Sequence, residues 1–159
     1  MTNYKWIESP IGKLLLTANG RSLTGLYLKG QKHFPCLSED CQENVELEIF
    51  DQTQEQLAAY FAHKRQNFNL SLAPQGTAFQ KQVWHHLDQI PFGQTTSYSA
   101  LANVIKKPGA ARAVGAANGR NPISIIVPCH RVVAVNGSMT GYAGGIDRKR
   151  WLLRHEQGV

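Results

Sequence analysis

The sequence predicts a mixed α/β (α+β) protein, in which a small lobe with an antiparallel sheet and a helix precedes a mostly helical domain. Strand-like runs and hairpin signals are confined to the first part of the chain, and helical spacing dominates the second part. The segment Ala73-Pro74-Gln75-Gly76 between them is typical of a linker. The 159 residues suffice for one domain or two small lobes that share an interface. We therefore expect an N-terminal α/β lobe over residues 1–72 and a C-terminal domain over residues 77–159.

The predicted sheet is formed by three short runs in the first 28 residues. The runs cover residues 4–8, 13–18 and 23–28, and Asn19-Gly20 between the second and third is a strong hairpin signal. The polar residues 30–44 are predicted to be a loop. Apolar residues with helical spacing then predict a helix over residues 47–63.

Helices account for most of the second part of the chain. Thr77 followed three residues later by Gln80 is a capping-box pattern and predicts a helix start. A second helix begins at Thr96 or Ser97, and a last helix follows Asp147. The last helix, together with a buried strand around residues 125–133, completes the predicted domain.

Two of these helices form a predicted helix-turn-helix. Lys107-Pro108-Gly109 breaks the second helix, and a third follows over residues 110–118. That third helix has small residues almost throughout and a single arginine, Arg112. Such a helix approaches another surface closely, either a neighbouring helix or a nucleic-acid groove. With so few hydrogen-bonding side chains, a DNA-binding role would involve backbone contacts and little sequence preference.

A cysteine and a histidine stand side by side within a run of β-branched residues. Residues 125–133 have the composition of buried extended chain, and Pro128 interrupts the run just before Cys129. Cys129 is either a small buried hydrophobe or a nucleophile whose pKa is lowered by His130. Glu156, near the C-terminus, is either a surface carboxylate or the acid that orients His130.

The charge of the chain lies in its second half. Residues 81–159 carry ten Lys or Arg against three Asp or Glu, whereas residues 1–80 carry seven against eight. A basic half that contains the candidate nucleophile favours an anionic partner such as nucleic acid, although solvated surface charge would give the same count. The first residues contain no apolar h-region and no apolar run is long enough to span a bilayer, so we expect a soluble protein.

The three cysteines are typical of a reducing compartment. Cys36, Cys41 and Cys129 are odd in number and form no CxxC pair, so we expect a cytoplasmic protein without disulfides. His33 lies close to the first two in the sequence, but the spacing fits no usual zinc site. We therefore expect no metal.

Several short blocks together carry a family resemblance. Pro128-Cys129-His130-Arg131-Val132 resembles the active-site signature of the O6-alkylguanine-DNA alkyltransferases, also called methylated-DNA–protein-cysteine methyltransferases. Further blocks resemble the family in the same order: Ser97-Tyr98, residues 111–115, Asn121-Pro122, residues 141–145 and residues 151–156. The resemblance is strong over residues 77–156 and loose over the first lobe. It is to the short, stand-alone bacterial type.

The resemblance implies DNA repair by direct, irreversible transfer of a methyl or other alkyl group from O6-alkylguanine, or from O4-alkylthymine, to Cys129. The alkylated cysteine is not turned over, so the protein would act once and need no cofactor. His130 would accept the thiol proton through an ordered water, and Glu156 would hold His130. Tyr98 would protonate the departing base, and Asn121 would be the hinge between the DNA-binding helix and the active-site strand.

The implied partner is double-stranded DNA carrying alkylated bases, bound through its minor groove by a monomer that flips the damaged nucleotide out of the stack. Arg112 would fill the vacated place. The implied DNA contacts are Ser97, Tyr98, Ala111, Arg112, Ala113 and Gly115. The implied guanine pocket is formed by Ser124, Val132, Tyr142 and Ala143. Ser124 stands where some members carry a proline that narrows the pocket, so we expect broader tolerance of adducts.

Two other functions are compatible with parts of the sequence. A non-catalytic sensor of alkylated DNA would share the DNA-binding residues, but related sensors replace the cysteine that is present here as Cys129. A Cys-His hydrolase would need an oxyanion hole and access for water, and it gives no reason for a helix-turn-helix.

Overall fold

A computed structural model describes residues 2–44, 46–139 and 141–158. The outer limits of the predicted domains, residues 1 and 159, lie outside this range. The strands of the described residues are β1 (Thr2–Ile7), β2 (Leu14–Ala18), β3 (Leu23–Leu28), β4 (Cys41–Glu43), β5 (Thr96–Ser97) and β6 (Val132–Val133). The helices are α1 (Glu48–Phe61), α2 (Ala78–Leu87), α3 (Tyr98–Val104), α4 (Ala111–Gly119) and α5 (Ile146–Gln157), with a 3-10 turn at Cys129–Arg131. The predicted mixed α/β class is confirmed.

The N-terminal sheet has the strand order β3-β2-β1-β4. The first three strands are antiparallel, as the hairpin signal predicts, and Asn19 closes the β2–β3 turn by donating its backbone N–H to Ser22 O. The fourth strand pairs with β1 in parallel. It lies in the polar segment that the sequence predicts to be a loop, and this part of the prediction is wrong. Three residues with partly exposed side chains give no apolar alternation that would reveal a strand.

The outer edge of β3 is covered by two later segments. Leu23 donates to Ser71 O and accepts from Ala73 N, so the chain that leaves the first lobe runs along this edge. Leu26 donates to Pro122 O and accepts from Ser124 N, which fastens the segment before the cysteine to the same strand. These main-chain bonds satisfy an edge that would otherwise be open to pairing with other chains. They also tie the candidate site directly to the first lobe.

The helix starts follow local rules. Thr77 and Gln80 form the predicted capping box of α2, in which each side chain accepts from the other residue's backbone N–H. Ser97 caps α3 by accepting from Ala100 N. The helix α5 begins at Ile146, after Gly145, so Asp147 lies in its first turn instead of capping it. The helices α3 and α4 pack together as the predicted helix-turn-helix.

The buried strand predicted around the cysteine is wrong for most of its length. Only Val132–Val133 is extended, where it pairs with β5, and Cys129 begins the 3-10 turn. Ile125 has a φ of 72°, a left-handed conformation that no strand contains. Val127 N donates to Ile123 O and closes a turn there. The predicted burial is correct, because the apolar run packs in the core by a folded path.

The apolar core is continuous between the two parts of the chain. Leu14, Leu26 and Phe50 of the first part belong to the same buried cluster as Val83 and Leu152 of the second. The division at residues 73–76 stays a prediction, since a shared core is compatible with two lobes or with one domain. Within the described residues, no helix is long and apolar enough to cross a membrane.

The capping box makes a prediction about stability. Thr77→Ala removes the acceptor for Gln80 N and leaves an N–H of the first turn without its partner, so the free energy of unfolding should fall by about 1 kcal/mol. Urea denaturation measures this change. Ser38→Ala, in an exposed loop, is the matched hydroxyl control and should leave the midpoint unchanged. Equal midpoints for all three proteins would contradict the role of the cap.

Candidate active site

Cys129 is buried at the start of the 3-10 turn, with only 4% of its surface exposed. Burial raises the pKa of its thiol, while the polar groups of Asn121 and Ser124 and the charge of Lys149 act in the opposite direction. The thiol therefore needs a proton acceptor close by before it can react as a thiolate.

His130 is fully buried and pairs with Glu156. Its Nε2 lies 2.7 Å from Glu156 Oε2. Burial lowers the pKa of His130, against the opposing effect of the carboxylate. Because an ionised carboxylate only accepts, Nε2 carries the proton of the neutral ring, and Nδ1 keeps a free lone pair. Nδ1 has no hydrogen-bond partner among the described residues, so it can accept a proton.

Glu156 is the most heavily bonded side chain of the site. Arg131 donates from Nε to Oε1 at 2.8 Å and from Nη2 to Oε2 at 3.0 Å. The Tyr60 hydroxyl donates to Oε2 at 2.7 Å, and Gly93 N donates to Oε1 at 3.3 Å. Burial alone raises the pKa of Glu156, but the hydrogen bonds from His130 and Arg131 outweigh it and hold the pKa well below its usual range. Glu156 is therefore a buried, permanently ionised carboxylate and not the surface residue of the alternative interpretation.

Two asparagines fix the backbone on either side of the cysteine. Asn121 donates to Val127 O at 2.8 Å and accepts from Ile123 N at 3.0 Å, which holds the turn before Pro128. Asn118, the last buried residue of α4, donates to Cys129 O at 3.3 Å. The small-residue helix is thus bonded directly to the main chain of the cysteine.

The outer face of α4 carries the predicted DNA-contacting residues. Arg112 and Ala113 are exposed, and Ala111 and Gly115 are partly exposed. The small-residue face is therefore open to a partner, while Val114 and Ala117 pack inward. One side of the helix packs closely, as the first interpretation predicts, and the other side faces solvent, so its contact with a nucleic-acid groove stays a prediction.

Tyr98 lies between α4 and the loop that precedes α5. A side chain on Gly115 would touch the Tyr98 ring at 3.7 Å, and a Cβ on Gly141 would lie 2.8 Å from its hydroxyl. Gly141 also has a φ of 78°, so both its conformation and its surroundings favour glycine. The ring thus contacts the two elements that bound the candidate pocket. Ser97, the preceding residue, acts as the N-cap described above.

A cavity of about 1030 Å³ opens between α4 and the loop over residues 141–146. Ala113, Gly115, Tyr142 and Ala143 of the predicted site contribute to its lining. The described lining residues include Lys32, His33 and Arg120 and no Asp or Glu, so the cavity suits an anionic ligand.

The remaining predicted pocket residues lie deeper. Ser124 and Val132 are buried and are not among the described residues that line the cavity. Tyr142 is buried, and burial raises its pKa well above the usual value, so its hydroxyl stays protonated. A Cβ on Gly144 would overlap the Tyr142 ring and Leu28, which explains the glycine there.

The described residues contain no group of three His, Cys, Asp or Glu side chains arranged to hold a metal ion. Cys36 is exposed in the loop of the first lobe, and Cys41 lies in β4.

Two family models match the chain. The ribonuclease-like domain of the 6-O-methylguanine DNA methyltransferases matches residues 3–74, and their DNA-binding domain matches residues 78–158. The chain belongs to the 6-O-methylguanine DNA methyltransferase family. The family resemblance read from the sequence is confirmed.

Relatives of this methyltransferase family cover nearly the whole chain. The methylated-DNA–protein-cysteine methyltransferase of Methanosarcina barkeri is 50% identical over 155 residues, which is 97% of this chain and 96% of its own. The crystal structure of Mycobacterium tuberculosis OGT in complex with DNA has a TM-score of 0.91 at 46% identity and covers 98% of this chain and 93% of its own. An O6-methylguanine DNA methyltransferase from Methanococcus jannaschii has a TM-score of 0.70 at 29% identity, with coverages of 96% and 93%.

Three residues of the site were not predicted. Arg131 belongs to the signature motif and directly follows His130 in the sequence, but the sequence pattern predicts no function for it. Lys149 is fully buried in α5 and donates to Val132 O at 2.6 Å, and a buried lysine has no sequence pattern that separates it from a surface one. Tyr60 reads as one more apolar residue on the face of α1.

The buried His130–Glu156 pair determines how the free energy of unfolding should depend on pH. The pKa values of Glu156 and His130 are both lower in the folded protein than in the unfolded chain, so the unfolded state binds more protons as the pH falls. The stabilisation from His130 is lost below about pH 6.5 and that from Glu156 below about pH 4.3. Asp88, whose pKa burial raises, acts in the opposite direction.

The informative measurement is therefore a comparison with Glu156→Gln. Between pH 5.5 and pH 3 the wild type should lose roughly 1.5 kcal/mol more unfolding free energy than the variant, because only the wild type retains the linked carboxylate. Urea denaturation at several pH values gives both curves. Parallel curves below pH 5 would show that Glu156 is not ionised in the fold.

Proposed function

We propose that this protein repairs DNA by transferring a methyl or other alkyl group irreversibly from O6 of guanine to Cys129. The observation that carries the proposal is a buried cysteine beside a buried His130–Glu156 pair, with the cysteine carbonyl bonded to Asn118 of the small-residue helix. The membership of the chain in the methyltransferase family supports the same chemistry. O4-alkylthymine is the second substrate of the proposal.

The transfer is a displacement at the alkyl carbon. The sulfur of Cys129 forms the new S–C bond while the C–O6 bond breaks and its electron pair stays on the guanine. The thiol proton passes to His130 Nδ1, whose ring is held for this role by Glu156. The Tyr98 hydroxyl gives a proton to the departing base, and the imidazolium of His130 restores the proton balance through solvent. The product is a thioether, which the site has no means to cleave, so each molecule reacts once.

Double-stranded DNA is the proposed partner. The thiol is too deeply buried to reach a base inside a duplex, so the damaged nucleotide must be flipped into the site. The exposed face of α4, with Ala111, Ala113 and Gly115, is narrow enough for the minor groove. Arg112 is the one long side chain on that face, and it takes the place that the flipped base leaves.

The guanine pocket of the proposal lies between α4 and the loop over residues 141–146. In the proposal Tyr142 and Ala143 flank the base, and the buried Val132 and Ser124 complete the pocket towards Cys129, which is not among the described residues that line the cavity. A serine at position 124 occupies less volume than a proline ring and supports tolerance of larger adducts. Asn121, bonded to Val127 O, keeps the turn before the cysteine in register with α4.

A reducing compartment suits the proposal, because all three cysteines are free and the reactive one must remain a thiol. The cytoplasm is the setting we propose, with a monomer acting on one lesion. The sensor hypothesis is disfavoured because Cys129 is present with a fully assembled His–Glu pair, which a protein that only binds damage would not need.

The reaction is tested by intact mass and peptide mapping after incubation with a duplex oligonucleotide that carries one O6-methylguanine. We expect a gain of one methylene on the peptide containing Cys129, which saturates at one equivalent. Cys129→Ser should abolish the gain and leave duplex binding nearly unchanged, because the binding surface lies on α4. Tight binding by the wild type without any mass gain would instead establish the sensor function.

The role of Arg112 is tested by comparing two substrates. Arg112→Ala should slow repair of O6-methylguanine in a duplex about thirtyfold, which corresponds to about 2 kcal/mol of lost stacking compensation. Its reaction with free O6-benzylguanine, which requires no flipping, should change less than twofold. Arg21→Ala removes an exposed positive charge from the β2–β3 turn as the control, and it should leave both rates unchanged. Equal slowing of both substrates in Arg112→Ala would exclude the stacking role.

A further inference from the structure

One hydrogen bond to the carboxylate of Glu156 comes from the first lobe. The donors from the second part of the chain are His130, Arg131 and Gly93. The remaining donor among the described residues is the hydroxyl of Tyr60 in α1, 2.7 Å from Oε2 and 96 residues away in sequence. The same oxygen accepts from His130 Nε2 at 2.7 Å, so Tyr60 and His130 share one carboxylate oxygen.

The position of the Tyr60 hydroxyl is determined by packing. The side chain is fully buried, and its ring contacts those of Phe61, Phe68, Phe92 and His155 at centroid distances of 5.0–6.0 Å. Its carbonyl oxygen lies 2.9 Å from His155 Nε2, which joins α1 to α5 beside Glu156. A ring surrounded in this way has one available orientation, and it directs the hydroxyl at the carboxylate.

Tyr60 is also a permanent donor. Burial raises the pKa of its hydroxyl far above the usual value, and the negative charge of Glu156 raises it further. The hydroxyl therefore keeps its proton at every pH at which the protein is folded, and it does not transfer that proton to Glu156. Its effect on Oε2 is constant.

We propose that Tyr60 is a positioning residue that acts through Glu156 to control the basicity of His130. The inference rests on the proposed function, since it concerns the same proton acceptor. A hydrogen bond to Oε2 stabilises the carboxylate anion and weakens the attraction of that oxygen for the proton on His130 Nε2. It also holds the carboxylate plane, so that the ring of His130 keeps Nδ1 available for the thiol proton. The imidazole consequently remains neutral and able to accept.

Removing the hydroxyl should therefore raise the pKa of His130. Tyr60→Phe keeps the ring and its aromatic contacts and deletes the donor. We expect the His130 pKa, followed by NMR of labelled imidazole nitrogens, to move upward. At neutral pH the rate constant for transfer from free O6-benzylguanine should fall about tenfold, in line with the loss of one hydrogen bond to a charged group. The pH at which this rate constant rises should move upward together with the His130 pKa. Tyr27→Phe, which deletes the hydroxyl of a half-buried tyrosine in the same lobe, should change neither quantity.

Two further variants separate the hydroxyl from the packing. Phe68→Leu disturbs the ring cluster but keeps the donor, and it should lower the midpoint of thermal unfolding without moving the pH profile. Should Tyr60→Phe not fold, 3-fluorotyrosine at position 60 provides the opposite test. It is a stronger donor of the same shape, so it should lower the His130 pKa.

The outcomes distinguish this inference from the proposed function. A wild type that transfers alkyl groups, with a Tyr60→Phe variant identical to it in His130 pKa and pH profile, overturns the inference alone. A pH shift in Phe68→Leu equal to that in Tyr60→Phe also overturns it, because packing would then be the cause. Failure of the wild type to alkylate Cys129 overturns the proposed function, and the His130 pKa still reports the hydrogen bond.

Discussion

The buried carboxylate of Glu156 is the group on which the rest of the site depends. An ionised carboxylate removed from water costs several kcal/mol unless its oxygens are bonded, and breaking such a set leaves an uncompensated charge. Here the donors come from α1, from the segment after α2 and from the cysteine turn, while the carboxylate itself belongs to α5. Four separate parts of the chain must therefore be in place before the charge is satisfied. The hydrogen-bonded set around Glu156 is therefore complete only in the folded protein.

A second constraint is the hydrogen bonding of α4, the helix proposed to bind DNA, to the segment around Cys129. Asn118 at the end of α4 bonds the carbonyl of Cys129, and Asn121 bonds the turn that leads to it. The small residues of α4 let its exposed face approach a DNA groove closely. Reaction with a base then requires that the Cys129 thiol lie at a fixed distance from that face. The side-chain amides of Asn118 and Asn121 fix this distance through hydrogen bonds to the main chain, whereas a flexible linkage would let it vary. In the proposed function the same helix would therefore serve both DNA recognition and the placement of the Cys129 sulfur.

Local signals allowed correct prediction of the elements that depend on near neighbours. The capping box at Thr77, the serine cap at Ser97 and the hairpin at Asn19 involve partners within three residues, and all three form. The sequence predicts a strand over residues 125–133 because β-branched residues are typical of buried strands. Such residues indicate burial, but they do not determine the path of the chain. The path is determined by the bond from Asn121 to Val127 O and by the left-handed Ile125, which no periodicity reveals. Cys129, His130 and Glu156 were identified through a motif, whereas the contact of Tyr60 with Glu156 spans 96 residues and carries no sequence signal.

The burial that protects the thiol also explains why the reaction would occur once. Burial raises the pKa of the Cys129 thiol, so in the proposed mechanism the thiolate would form only as His130 takes the proton, in concert with attack on the alkyl carbon. In the proposed product the sulfur carries an added alkyl group, and an extra methyl in a packed core costs about 1–3 kcal/mol. A thioether sulfur is a poor leaving group, so the new S–C bond would persist. The arrangement that makes a buried cysteine reactive therefore also prevents its regeneration.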